Sequence, residues 1–95
     1  MQRQIIELID KIDKKYKNKH DIDITLIHLM EEFGEIARER YNEKMGRDKI
    51  NMDNLEEEIA DCIMLLTKLA DNYKINLKKA IIKKISKLNQ RHNLK

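Results

Sequence analysis

Proline and tryptophan are absent from the 95-residue chain, glycine occurs only as Gly34 and Gly46, and aromatic residues make up 4%. A β-sandwich or barrel needs turn punctuation every ~8–12 residues, and this chain does not have it. The single cysteine, Cys62, cannot close an intrachain disulfide, so nothing points to an oxidising compartment. The longest unbroken apolar run, Cys62 to Leu66, falls far short of the ~20 residues of a membrane span. Charge interrupts the segment Met1 to Glu7 too early for the apolar stretch of a signal peptide. The expectation is a soluble cytoplasmic protein with no membrane partner.

What is abundant is charge, 39% of residues, beside 41% hydrophobic residues, enough for a core. The net charge of +3 conceals a division. Residues 31–61 hold eleven acids against five bases, whereas residues 72–95 hold eight bases and no acid. The acidic middle makes nucleic acid an unfavourable partner, because it would repel the polymer that the basic end attracts.

Hydrophobic spacing predicts four helices. Over 2–18 the apolar positions are Ile5, Ile9, Ile12 and Tyr16. A polar break, 18–23, follows, in which Asp21 or Asp23 can cap the next helix. Over 24–44 the stripe is Leu26, Leu29, Met30, Phe33, Ile36 and Ala37, with Phe33 assigned to the core. After a loop at 45–52 containing Gly46, Asp53 with Glu56 makes a capping-box-like start. The third helix carries Leu55, Ile59, Cys62, Leu66, Leu69 and Tyr73 in heptad-like phase. Asn76 can cap a fourth, with Leu77, Ala80, Ile81, Ile85 and Leu88. No linker, repeat or low-complexity stretch divides the chain, so residues 1–95 read as one all-α, four-helix, bundle-like domain. A chain this short has a thin core, and self-association to a homodimer or homotetramer is expected to complete it.

At 100° per residue, Glu32, Glu35 and Glu39 share one face of the second helix with His28. Like charges at this spacing repel by roughly 0.2–0.5 kcal/mol per pair, and in mid-helix the dipole offers no compensation. A solvated acidic face tolerates that cost; a divalent cation would remove it. On the third helix, Glu58 and Asp61 flank the apolar stripe as Glu32 does on the second. Packing of the two stripes would converge the pairs Glu32/Glu35 and Glu58/Asp61. Carboxylates with no softer ligand suit Mg²⁺, or Mn²⁺. A di-iron bundle would need Glu-x-x-His pairs, and none of His20, His28 and His92 follows a glutamate by three. On the fourth helix Lys84 and Arg91 share the stripe of Leu77, Ala80, Ile81 and Leu88. They either snorkel to water or face the acids and hold phosphates.

The run Glu31-Glu32-Phe33-Gly34-Glu35 resembles the E-E-x-x-E block of MazG-like nucleotide pyrophosphohydrolases, and Glu58-Ile59-Ala60-Asp61 their E-x-x-D block. The 22 residues between Glu35 and Glu58 are similar to the family's separation, and the likeness covers about residues 24–91. It implies an all-α Mg²⁺-dependent enzyme that cleaves nucleoside triphosphates to monophosphate and pyrophosphate, clearing unwanted nucleotides. By the same resemblance Glu32, Glu35, Glu58 and Asp61 are metal ligands. Glu31 fills the first position of the block, orienting the attacking water or supporting the ligands, and with Glu35 makes up the catalytic pair. Lys84 and Arg91 match phosphate-binding positions on the last helix. The asparagine expected between them is replaced by Leu88, with Asn89 adjacent, and no tryptophan is present to sandwich a base. The competing expectation is a non-catalytic helical interaction module that binds nucleotide or nucleic acid through its basic last helix.

Overall fold

Side-chain caps mark the start of three of the four helices. In a computed structural model, which describes residues 1–94, α1 spans Gln2–Tyr16, α2 Ile22–Lys44, α3 Met52–Asn72 and α4 Leu77–Arg91. No strand occurs among the described residues. Asp21 caps α2, its carboxylate accepting from the Ile24 N–H at 2.9 Å. Asn76 caps α4 through the Lys79 N–H at 3.0 Å. The third cap differs from expectation: Asn51, not Asp53, accepts from the Asn54 N–H at 3.1 Å. Asp53 instead lies in the first turn, where its charge favours the helix dipole.

All four helices end alike. A residue with positive φ follows each (Lys17 at 56°, Gly46 at 74°, Lys74 at 56°, Asn93 at 54°). The next N–H then closes back five residues, as in Ile75 to the Ala70 carbonyl at 2.8 Å and Arg47 to the Asn42 carbonyl at 2.8 Å. Only Gly46 adopts this left-handed conformation without a side-chain penalty.

The α2 and α1 helices both pack on α3, which is therefore central. Leu29, Cys62 and Leu65 are buried together, with Ile36 against them and Ile9 contributed by α1. The buried Thr25, Thr67 and Lys68 side chains are anchored. Asn72 Nδ2 donates to the fully buried Thr25 Oγ1 at 3.4 Å, and the Thr67 hydroxyl to the Ile63 carbonyl at 2.8 Å. The Lys68 ammonium reaches Asp10 of α1 at 3.2 Å and Asp71 at 3.7 Å.

Two expectations about the core are corrected. Phe33 is 47% exposed, and so are large parts of Ile59, Leu66 and Tyr73. The α3 helix is apolar on more than one side, and α1 and α2 cover only the side bearing Cys62 and Leu65. The fourth helix also departs from its expected inward stripe. None of its residues is buried, and Ile81, Ile82 and Ile85 remain more than half exposed. Gln2 tethers it, donating to the Ile75 carbonyl and accepting from the Leu77 N–H, each at 3.1 Å. The accessible surface is 8140 Å², whereas a compact monomer of this mass exposes roughly 5,800 Å². The radius of gyration is 16.5 Å, against about 12 Å for a compact chain of this length.

Candidate active site

The α2–α3 pairing runs antiparallel, with Thr25 opposite Asn72, Leu29 near Leu65 and Cys62, and Glu39 near Glu58. Packing of the apolar positions therefore carries their acidic neighbours into one seam. Glu39 and Glu35 approach Glu58, while Glu35 and Asp61 approach Glu32. The Glu58 carboxyl is pushed up to about 7 by its hydrogen-bonding proximity to Glu39, then by burial and the charges of Glu39 and Glu35. Burial raises Glu32 as well, with Glu35 and Asp61 adding to it and His28 opposing. Cys62, beneath the seam, has its thiol pushed up by burial and then by Glu32, Asp61 and Glu58, so it packs as a small apolar side chain.

One oxygen of each carboxylate across the seam, Glu39 Oε2 and Glu58 Oε1, is buried with no hydrogen-bond partner. Orphaned acceptors of this kind call for a shared proton or a cation. The donor set, oxygen only and strongly anionic, fits a hard divalent ion. Among the described residues, no group of three or more His, Cys, Asp or Glu side chains is arranged to hold a metal ion as it stands.

Of the residues singled out from the sequence, Glu32 and Glu58 are half-buried in the seam, and Glu35 and Asp61 lie at its exposed edge. Glu31 is exposed on the neighbouring side of α2. Lys84 and Arg91 are exposed on α4, Asn89 is half-buried, and among the described residues neither cation pairs with an acid. The acids thus interact across α2 and α3, while Lys84 and Arg91 make no ion pair with them within one chain.

Sequence reasoning missed two contributions. Glu39 shares the acidic face but had no role assigned; its signal was the spacing of four from Glu35. The second is a row of hydrogen-bonding groups that enters the seam from α1. The buried Asp13 accepts from His20 Nδ1 at 2.8 Å and from the His20 backbone N–H at 3.0 Å. His20 Nε2 meets His28 Nδ1 at 3.1 Å, the ring planes inclined by 28° and their centroids 5.4 Å apart. His28 Nε2 then lies 3.5 Å from Glu32 Oε1. With both imidazoles neutral, the first two contacts use both available N–H groups. Closing the third requires one more proton between His28 and Glu32. A cavity of about 210 Å³ opens beside this row, walled by Ile9, Ile12, Met64 and Leu65, with His28 and Asp61 at one side. Only the four-residue step from His28 to Glu32 was visible as spacing; the approach of Asp13 and His20 depends on the α1–α2 turn.

A family model of the MazG nucleotide pyrophosphohydrolase domain matches residues 20–94. The chain is 32% identical over 87 residues to an uncharacterized protein, YpjD, of Bacillus subtilis (strain 168), across 87% of this chain and 78% of that relative. No solved structure matches it.

Proposed function

Because the chain belongs to the family of the MazG nucleotide pyrophosphohydrolase domain, we propose that it hydrolyses nucleoside triphosphates to monophosphate and pyrophosphate, removing unwanted nucleotides from the pool. The observation that carries this reading is the convergence of Glu32, Glu35 and Glu39 of α2 with Glu58 and Asp61 of α3 in one seam. Glu32, Glu35, Glu58 and Asp61 would hold Mg²⁺, with Mn²⁺ able to replace it. Bound there, the cation would supply Lewis acidity to the triphosphate and to an attacking water. Glu31 would orient the attacking water, and Glu35 would take its proton as the water oxygen bonds to the α-phosphorus and the bridge to the β-phosphate breaks. The proton remains on the carboxylate, and pyrophosphate carries away the electron pair of the broken bond. Lys84, Arg91 and Asn89 serve the leaving phosphates. The cavity between Ile12 and Met64 offers apolar walls for a base in a chain without tryptophan.

The excess surface and the uncovered α4 support a homodimer or homotetramer in which a second copy brings Lys84 and Arg91 to these acids. A pyrophosphate-release assay over canonical and modified (d)NTPs, with and without Mg²⁺, tests the reaction. Turnover that disappears with EDTA is expected; silence across the panel, or indifference to EDTA, would sink the reading. Glu35→Gln and Asp61→Asn should abolish turnover at unchanged helical content. Exposure of six basic residues on α4 supports the second reading, a non-catalytic module binding phosphate backbones. That reading requires metal-independent affinity that falls steeply with salt.

A further inference from the structure

The acid seam employs α2 and α3 and gives α1 no part, yet α1 buries one carboxylate, Asp13, and directs it at a histidine. Asp13 is 8% exposed. Both of its oxygens are committed to His20, Oδ1 at 2.8 Å and Oδ2 at 3.0 Å from the ring Nδ1, with Oδ2 also accepting the His20 backbone N–H. Such a grip fixes both the ring's orientation and its tautomer. With Nδ1 donating to Asp13, neutral His20 presents a bare Nε2. That nitrogen lies 3.1 Å from His28 Nδ1 and can accept from it; His28 Nε2, when it too carries a proton, then faces Glu32 Oε1 at 3.5 Å, an ion-pair rather than a hydrogen-bond distance. Each member is therefore aimed by the one before it. If the row only fastened α1 to α2, its course could end at His28, whose side chain is 44% exposed. It continues instead to a carboxylate of the seam.

We propose that Asp13 and His20 are positioning residues which, through His28, hold the Glu32 carboxylate facing Glu35 and Asp61, so that the first helix belongs to the active site. The proposal rests on the pyrophosphohydrolase reading of the seam. Partners that orient ligating groups in this way typically contribute roughly 10–100-fold to metal affinity or activity. Because they act along one line, their losses do not add.

The test uses the full chain and two independent readouts: affinity for Mn²⁺ alone, followed by electron paramagnetic resonance, and kcat and KM for pyrophosphate release from a dNTP with Mg²⁺. His28→Ala, His20→Ala and Asp13→Ala should each weaken Mn²⁺ binding roughly 10-fold or more, at unchanged helical content, with kcat lowered more than KM is raised. The pair Asp13→Ala with His28→Ala should be no worse than His28→Ala alone. Asp13→Asn, which keeps an acceptor for His20 Nδ1, should restore most of the loss. Asp10→Ala, on the same helix but paired with Lys68, should lower thermal stability and leave both readouts unchanged. Should Asp13→Ala fail to fold, Asp13→Asn and the half-exposed His28 variant carry the comparison. Wild-type Mn²⁺ affinity and kcat in His28→Ala, or additive losses in the pair, would overturn the positioning role while leaving the hydrolase intact. A wild type that neither binds Mn²⁺ nor releases pyrophosphate would overturn both.

Discussion

Glu39 on α2 and Glu58 on α3 each turn a carboxylate oxygen into the same seam, and neither oxygen has a donor. The proximity of Glu39, then burial and the charges of Glu39 and Glu35, push the Glu58 carboxyl up to about 7 from its ordinary 4.5. A folded-state pKa raised above the unfolded one means that the folded chain holds its proton more tightly. The stabilisation is complete below about pH 4.5 and is lost as pH rises through about 7. Thermal unfolding followed by circular dichroism, in EDTA, should therefore give a higher Tm at pH 5 than at pH 8. Glu58→Gln should flatten that difference, and Mg²⁺ at pH 8 should restore stability to the wild type alone. A Tm that is equal in Glu58→Gln and wild type at both pH values would contradict the assignment.

Lys84 lies in the phase expected of a phosphate contact, whereas Lys79 sits next to the helix cap and points elsewhere on α4. Lys84→Ala is expected to raise KM for a triphosphate about tenfold, the loss of roughly 1.4 kcal/mol that one charge-assisted contact supplies. Lys79→Ala should change it little. Equal effects in steady-state kinetics would reduce both lysines to general surface charge.

Apolar side chains left open on α4 should matter for assembly. Ile82 and Ile85, at 58% and 52% exposure, should resist water by pairing with a second copy. Light scattering coupled to size exclusion is expected to return a multiple of the chain mass for wild type and a smaller species for Ile82→Glu with Ile85→Glu. A wild-type monomer at micromolar concentration would refute this assembly.

Lys74 occupies the left-handed position between α3 and α4 with φ at 56°. A non-glycine residue there costs about 1 kcal/mol. Lys74→Gly should raise unfolding stability by up to about that amount in urea titration, less the entropy that glycine adds to the unfolded chain. Unchanged or lower stability would mean that the lysine's side chain compensates for its backbone.

The helices and two of the three caps with side-chain acceptors were legible because they depend on near neighbours. Asn51 and Asp53 both offer an oxygen, and only the fold shows that Asn51 reaches the Asn54 N–H. The approach of Glu32 and Glu35 to Glu58 and Asp61 reflects their placement beside Leu29 and Cys62, whose packing draws the flanking acids toward one another. The Asp13–His20–His28 row was not legible, because it depends on how the residues between α1 and α2 fold back. The exposure of α4 escaped for another reason. Amphipathic spacing identifies which side of a helix is apolar and says nothing about whether its own chain covers it. The same limit applies to Phe33, Ile59 and Leu66.

The α3 helix is divided along its length. Its first half carries Glu58, Asp61 and the buried Cys62 beside them, while its second half carries the Thr67, Lys68, Ala70 and Asn72 anchors. About two turns of helix separate Asp61 from Lys68, so neither acid shares a partner with the Thr67, Lys68 or Asn72 contacts. The helix thus fastens its neighbours at one end and holds its charged groups at the other, while Cys62 and Leu65 between them tie both to one core.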